Sequence, residues 1–356
     1  MIQNSKNLYV VILAGGKGKR LWPLTENSVP KQFLNIIKKD TFLNHTIKRS
    51  LYLVKPENIY IVSLGKHSKQ INSSLIKYNI PKKNLLLEPE AKNTAPAVLL
   101  AVSTIAKKDP ESTLLISACD QLISDKTNFI EDSRRAFKAC QAGFIVAFGI
   151  KPSGPETEYG YMKAGRKPKD RRINFSCYIV DEFIEKPAQK QAAKLIQSKN
   201  YSWSSGLFMA KSQTLLAEYK KNALGYYSHF MKKNYNGAGL KKIYHMIKPE
   251  TFEKLIIQKS SRLTLIKAKF RWQDLGQWDL VYRALKKNKN KNVVSGAVVS
   301  SAVKDSLLLS MQKQIVCLGL KDVVVVDTEA GLLIADKNHL YKLKDALNRV
   351  IRKKAT

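Results

Sequence analysis

The first half of the chain alternates short β-rich runs with longer segments of helical period, and this alternation narrows the fold more than any other feature. It is the sequence form of a mainly parallel sheet covered by helices. Strands are expected at residues 8–14, 58–63, 113–117 and 144–149, and amphipathic helices at 42–51, 94–107 and 129–142. Spacings of roughly 50 residues between the first three strands, and about 30 before the fourth, leave room for each crossover connection.

The pattern changes after Lys151, where Pro152, Gly154, Pro155 and the stretch 165–170 interrupt the regular periods. An antiparallel insertion carrying substrate contacts is expected there, with a strand at 179–184, a helix at 189–198 and a return strand at 203–210. A Lys- and Asn-rich stretch, 286–292, reads as a linker. Beyond it the chain turns valine-rich, with short apolar runs at 293–299, 306–310, 314–318 and 322–327, then a basic amphipathic helix at 337–352. The expected fold class is therefore α/β: a Rossmann-like, mixed but mostly parallel sheet over residues 1–287. A small β-rich, β-helix-like appendage ending in a helix follows over 288–356, and its short strands recur without a strict repeat.

Composition excludes several classes. At 356 residues, 44% hydrophobic and 25% charged, the chain can bury a large core and shows no signature of disorder. Cys119, Cys140, Cys177 and Cys317 lie far apart and form no Cys-x-x-Cys pair, which points away from a zinc site or a disulfide framework and towards a reducing cytoplasm. The apolar stretch 10–14 is too short for the core of a signal peptide, and no run reaches membrane-spanning length. The net charge of +34 invites a nucleic-acid reading, but the excess is lysine scattered along the whole chain, with short clusters at 286–291 and 352–354. A binding face for a polyanion concentrates its charge. The expectation is a solvated lysine surface that attracts anionic substrates, with neither nucleic acid nor membrane as partner.

Leu13-Ala14-Gly15-Gly16-Lys17-Gly18-Lys19-Arg20 is the strongest local signal, a glycine-rich turn directly after the first strand. Glycines let the backbone approach a phosphate and aim N–H groups at it, while Lys17, Lys19 and Arg20 supply positive charge. The spacing matches neither the dinucleotide fingerprint nor the Walker pattern.

Continued through Leu21-Trp22-Pro23-Leu24 and Val29-Pro30-Lys31-Gln32-Phe33-Leu34, this stretch resembles the signature of the sugar-phosphate nucleotidyltransferases, specifically the mannose-1-phosphate guanylyltransferases. Further matches follow in the family's order. Glu88-Pro89-Glu90-Ala91-Lys92-Asn93-Thr94-Ala95-Pro96-Ala97 looks like the nucleobase segment, and Glu158-Tyr159-Gly160-Tyr161-Met162 like the sugar-side loop. Phe183-Ile184-Glu185-Lys186-Pro187 and Trp203-Ser204-Ser205-Gly206-Leu207-Phe208 resemble two sugar-pocket motifs, and Trp272-Gln273-Asp274-Leu275-Gly276-Gln277-Trp278-Asp279 the late metal motif.

The resemblance implies attack by a sugar phosphate oxygen on the α-phosphorus of a nucleotide, with pyrophosphate leaving, and so GDP-mannose formed from GTP and mannose 1-phosphate. Such a reaction needs positioning and charge neutralisation more than a covalent catalyst. On the same grounds Leu13, Ala14, Gly15, Gly16, Gly18 and Arg20 belong to the nucleotide site, and Lys31 neutralises the reacting phosphates. Asn93, Thr94 and Ala95 face the base, although Thr94 followed by Ala95-Pro96 is also a good helix start. Gly160, Glu185, Lys186 and Ser205 belong to the sugar phosphate, a cation for its phosphate and a carboxylate for its hydroxyls. Asp120, at the carboxyl end of its strand, and Asp274 hold Mg²⁺. Arg20, Lys31 and Lys186 are the catalytic candidates.

Three positions depart from the family pattern. Gln121 stands where histidine is usual and cannot titrate, Ser204 replaces a longer asparagine at the sugar, and Lys92 replaces an arginine and loses its bidentate geometry. The rival readings are a guanylyltransferase for another sugar 1-phosphate and a weakened regulatory homologue. Some family members carry a second, isomerase domain; with the sequence stopping at Thr356, a single activity is expected. The terminal helix and the β-rich appendage are the surfaces expected to form a homodimer.

Overall fold

The computed structural model of the protein describes residues 7–16, 18–25, 29–36, 40–231 and 237–354, and only the backbone at Lys19 and at 350–354. Lys17 and the Lys19 side chain, two of the charges expected at the glycine-rich turn, therefore lie outside the described residues.

The strands that follow one another in the chain are β1 (Leu8–Leu13), β2 (Ile59–Leu64), β3 (Leu85–Glu88), β4 (Thr113–Ala118), β5 (Gln121–Ser124), β6 (Ile145–Ile150), β7 (Gly160–Ala164), β8 (Tyr178–Glu185), β9 (Tyr201–Lys211), β10 (Leu263–Lys267) and β11 (Arg271–Asp274). Helices α1 (Phe42–Ser50), α2 (Ser68–Lys77), α3 (Thr94–Lys108), α4 (Lys126–Gln141), α5 (Gln189–Gln197), α6 (Ser212–Asn222), α7 (Leu224–Met231), α8 (Gly237–Met246) and α9 (Phe252–Leu255) intervene, and α10 (Trp278–Ala284) comes after β11. The chain divides into two compact units, Met1–Gly15 with Asn44–Cys119 and Ile123–Trp272, and Gly16–Leu43 with Asp120–Leu122 and Gln273–Thr356.

The first unit is built on a nine-stranded sheet in the order β3-β2-β1-β4-β9-β6-β10-β8-β7. β1, LYVVIL, is buried along nearly its whole length because it pairs in parallel with β2 on one side and β4 on the other. The expectation of a mostly parallel sheet holds for β3-β2-β1-β4 and for β6 with β10. It fails where β9 runs antiparallel to both β4 and β6, and where β7 and β8 form the antiparallel insertion expected after Lys151. The physical reason lies in the connections: the alternation of strand and long helix that forces parallel pairing stops at Ile150, and the hairpin-like β7–β8 excursion returns the chain in the opposite direction. Helix α3, apolar around almost its entire circumference, is buried from Ala95 to Ser103 and again at Ile105. It packs in one cluster with Phe208, Tyr219 and Phe252, the last two stacked at 6.2 Å between ring centroids.

In the second unit Leu21, Leu34, Phe42, Leu275, Trp278 and Val281 share a core with Val293, Leu307, Leu309, Val324, Val326 and Leu333. The Trp278 indole N–H donates to the carbonyl of Trp22 at 2.8 Å, tying α10 to the turn that follows the glycine-rich segment. The run expected at 293–299 is two strands, β12 (Val293–Ser295) and β13 (Val298–Ser301), because Gly296 takes φ 84° between them. After them come β14 (Leu307–Ser310), β15 (Ile315–Leu318), β16 (Val323–Thr328) and β17 (Gly331–Asp336). β12, β14 and β16 pair in parallel, β13 pairs in parallel with β15, and β17 closes the row antiparallel to β16. The stretch read as a linker is held instead. Buried Asn292 donates to the carbonyl of Val303 at 2.7 Å and accepts the N–H of Ser306 at 3.0 Å. The terminal helix starts late, with a 3₁₀ segment Lys337–Lys342 before α11 (Leu343–Lys354). Among the described residues no helix is long and apolar enough to cross a membrane.

Candidate active site

Chemistry-bearing residues gather at two places, one in each unit. In the second unit, Gly18 adopts φ +63°, and a Cβ there would stand 2.8 Å from Lys31 Cβ and 2.9 Å from Thr25 Cγ2, so only glycine fits. Its carbonyl accepts the Leu21 N–H at 2.8 Å and the Thr25 hydroxyl at 3.1 Å, which fixes the turn leading into the 3₁₀ segment Lys19–Leu21 that carries Arg20. Gly16 has open space where a Cβ would be, as a backbone that must approach a ligand requires.

Lys31 lies in a short 3₁₀ turn after Pro30 and is 7% exposed. Its ammonium donates to Asp120 Oδ2 at 2.6 Å and stands 4.0 Å from Asp274 Oδ1. Asp274, the last residue of β11, also accepts the Gly276 N–H at 2.5 Å. Its carboxyl is pushed up to about 6: burial raises it most, Lys31 pulls it back, and the neighbouring Asp120 raises it further. Two carboxylates so close resist ionising together, and one ammonium does not fully offset them. Arg20 also lowers the Asp274 carboxyl, and two acidic side chains set beside these cations offer hard oxygen ligands of the kind a divalent cation takes. Among the described residues no group of three or more His, Cys, Asp or Glu is arranged to hold a metal ion. Lys31, Asp120 and Asp274, chosen from separate parts of the sequence, are thus brought together.

In the first unit, Leu13 ends β1, and buried Ala14 follows it with its N–H bonded to the Val62 carbonyl at 2.8 Å. Asn93 precedes α3 with φ 64° and offers no side-chain cap to the helix. Thr94 is engaged internally, accepting the Phe252 N–H at 2.8 Å and donating to Glu253 Oε2 at 3.4 Å. Both backbone groups of Ala95 are taken as well, the N–H by Glu250 and the carbonyl by the Tyr219 hydroxyl.

Gly160 opens β7 opposite Glu185. A Cβ on it would stand 2.7 Å from the Phe183 ring and 2.9 Å from Glu185 Oε2. Burial, with the nearby Glu253, pushes the Glu185 carboxyl up to about 7 despite the neighbouring Lys186. Lys186 adopts φ 50°, holds its side chain 53% exposed and places Nζ 3.8 Å from Glu158 Oε2. Ser204 and Ser205 are buried and accept the N–H groups of Gly206 and Leu207 at 3.3 and 3.2 Å. Gln121 is buried too.

Sequence reasoning passed over Glu88. It ends β3 only 5% exposed, and its Oε1 accepts the Tyr244 hydroxyl at 3.0 Å. The signal was available: an acidic residue after Leu85-Leu86-Leu87 marks the carboxyl end of a strand, where open α/β sheets place ligands.

A mixed α/β sheet with a glycine-rich turn after its first strand, and with lysines and carboxylates beyond the strand ends, defines a protein that handles phosphorylated ligands. Residues 9–291 match the nucleotidyl transferase family model, and the chain belongs to that family. It is 31% identical to the alginate biosynthesis protein AlgA of Pseudomonas aeruginosa, over 94% of this chain and 70% of that one. It is 30% identical to the mannose-1-phosphate guanylyltransferase of Escherichia coli K12, over 96% of this chain and 73% of that one. A Thermus thermophilus protein, whose crystal structure is described as that of a mannose-1-phosphate geranyltransferase, superposes with a TM-score of 0.86. That likeness covers 97% of this chain and 99% of the other at 27% identity.

Proposed function

We propose that this protein is a mannose-1-phosphate guanylyltransferase, making GDP-mannose and pyrophosphate from GTP and mannose 1-phosphate. The observation that carries the reading is the Lys31, Asp120 and Asp274 cluster, a cation and two carboxylates set close together in a chain 30% identical to an enzyme of that name. An oxygen of the sugar phosphate attacks the α-phosphorus, the bond from that phosphorus to the β-bridging oxygen breaks, and the electron pair leaves with pyrophosphate. Gly15, Gly16, Gly18 and Arg20 bind the triphosphate through backbone N–H groups and a guanidinium. Lys31 turns from its carboxylates to the reacting phosphates, and Lys186 takes the incoming sugar phosphate while Glu185 accepts from sugar hydroxyls. Asn93 faces the base on a segment anchored by the internal bonds of Thr94 and Ala95, and Ser205 with Gly160 shapes the sugar pocket. Mg²⁺ held by Asp120 and Asp274 supplies charge neutralisation at the nucleotide oxygens.

Residues 1–287 carry this reaction in our reading and 288–356 form the appendage, whose parallel short strands support a β-helix-like description. Val316, Leu318 and Ile334 on the appendage are 62%, 64% and 66% exposed, which supports its use as a homodimer surface. Four buried cysteines that remain free thiols support a cytoplasmic setting.

The test mixes the protein with Mg²⁺, mannose 1-phosphate and GTP, ATP, UTP or dTTP in turn and follows pyrophosphate release. Release with GTP alone, abolished in Asp274→Ala, is the expected result. Release with GTP only when another sugar 1-phosphate is supplied would move the specificity question to Ser204 and Gln121. No release with any pair would favour a regulatory homologue.

A further inference from the structure

The glycine-rich turn and the appendage lie near opposite ends of the sequence, yet in the second unit one core holds both. Leu21, directly after Arg20, is fully buried in the cluster that contains Val326 and Leu333, and Trp22, Leu24 and Leu340 pack against it. Trp22 touches the appendage directly. Its Cζ2 and Cη2 stand 2.9 and 3.0 Å from where a Cβ on Gly331 would be, so the six-membered ring of the indole lies against bare backbone and no side chain fits between them. Gly331 opens β17 with φ +153°, a conformation that itself favours glycine. Thr328, its partner across the β16–β17 hairpin, donates its hydroxyl to the Gly331 carbonyl at 3.3 Å and accepts the Ala330 N–H at 3.2 Å, which fixes the hairpin tip from within. The Trp22 carbonyl is held as well, by the Trp278 indole N–H at 2.8 Å.

The phosphate-binding turn draws its support from this segment. Gly16 has open space where a Cβ would be, and the Gly18 carbonyl takes its hydrogen bonds from Leu21 and Thr25, on either side of Trp22. The backbone that meets a phosphate is therefore fixed through residues 21–25, and those residues are set against Gly331. A site that works by placed N–H groups is sensitive to position, and a displacement of about 1 Å can cost roughly a hundred-fold in rate. We propose that Gly331 is a positioning residue for the nucleotide, acting through Trp22: the β16–β17 hairpin holds the phosphate-binding turn where it meets a triphosphate. The appendage is thereby a part of the nucleotide site, although its sequence lies beyond the segment that carries the reaction. The proposal rests on the guanylyltransferase reading for the choice of nucleotide and adds to it the element that places the turn.

A double-mutant cycle tests it. Gly331→Ala sets a methyl against the indole, and Trp22→Phe removes Cζ2 and Cη2, the atoms that face Gly331. Each single variant is expected to raise KM for GTP by about ten-fold, the value of one weakened hydrogen bond to a charged phosphate, with KM for mannose 1-phosphate within about two-fold of wild type. In the Trp22→Phe background the methyl has room, so Gly331→Ala is expected to add less than about two-fold. A purely structural Gly331 would lower the folded fraction, and with it the apparent kcat, while leaving KM for GTP unchanged, which overturns the proposal. Equal effects of Gly331→Ala in the two backgrounds overturn it too, because Trp22 would then not be the link. If Gly331→Ala does not fold, Trp22→Phe decides, and an unchanged KM for GTP sinks the idea. Wild-type turnover of another nucleoside triphosphate in place of GTP removes the guanylyltransferase reading, and the same cycle with that nucleotide still decides on the hairpin. No turnover with any pair removes that reading as well, and the dissociation constant for GTP read by calorimetry then takes the place of KM; a wild type that binds no GTP overturns both.

Discussion

The two clusters of acidic side chains solve the same problem, keeping carboxyls out of water, in opposite ways. In the second unit Asp120 and Asp274 share Lys31, with Nζ at 2.6 and 4.0 Å. In the first unit Glu88 has a phenol. Asp274 settles at about 6 because burial and Asp120 outweigh Lys31 and Arg20; Glu88, with no cation paired to it among the described residues, settles at about 7. The difference lies in what offsets the buried charge: a lysine beside carboxylates is a counter-charge already in place, whereas a phenol gives its carboxyl a neutral donor and no charge.

The largest expected effect comes from removing the cation. Lys31→Met removes the ammonium beside Asp120 and Asp274 and, in the proposed reaction, a donor to the phosphates, so kcat should fall by about a thousand-fold, the upper end for losing one stabilising donor. The same substitution should tighten Mn²⁺ binding to the nucleotide-free protein by about ten-fold, because the ion no longer competes with the ammonium. Weaker or unchanged Mn²⁺ binding, read by calorimetry, would break the comparison, for Lys31 would then not be occupying a cation's place.

The phenol-paired site predicts an effect on stability. The Glu88 carboxyl is raised from its ordinary 4.5 to about 7, so between those values the folded protein holds a proton that the unfolded chain releases. That contribution is complete below pH 4.5 and is lost as the pH climbs through 7. The shift of about 2.5 units corresponds to about 3 kcal/mol at most. Glu88→Gln, which never ionises, should match the wild type near pH 5 and exceed it at pH 8 by up to that amount in ligand-free urea denaturation. Glu185, also raised to about 7, leaves a residual slope in both proteins. Parallel pH profiles for the two proteins would show that Glu88 is solvated and that the contrast between the sites is false.

How much of this was legible in the sequence follows from how local each signal is. β1, β2, β4 and β6 were found within a residue or two because each is a short apolar run buried on both faces. β3 is not legible locally: Leu85-Leu86-Leu87-Glu88 is four residues long and its last residue opens the Glu-Pro motif, whose proline reads as a loop. The stretch 286–292 reads as a linker from its lysines and asparagines, yet Asn292 satisfies two buried backbone groups, a bond pattern that composition does not encode. Motif order named Lys31, Asp120 and Asp274, but the direct contact of Lys31 with Asp120 depends on chain segments 89 residues apart. The pairing of Glu88 with Tyr244, separated by 156 residues, lies beyond any local pattern.

Lys186 stands between the two extremes and gives the smallest effect and the cleanest control. Its ammonium is 3.8 Å from Glu158 on a side chain left 53% exposed, so water screens the pair and little folding energy depends on it. Its backbone, at φ 50°, lies where a side chain is disfavoured and glycine is at ease. Lys186→Gly should therefore leave the melting temperature unchanged or slightly raised while deleting the charge. If the lysine serves the sugar phosphate, KM for mannose 1-phosphate should rise by about ten-fold, the value of one charge-assisted hydrogen bond at an exposed site. KM for GTP should barely move. A rise in both constants together would place Lys186 with Lys31 as a general source of positive charge, and the separation of sugar-phosphate and nucleotide roles would have to be withdrawn.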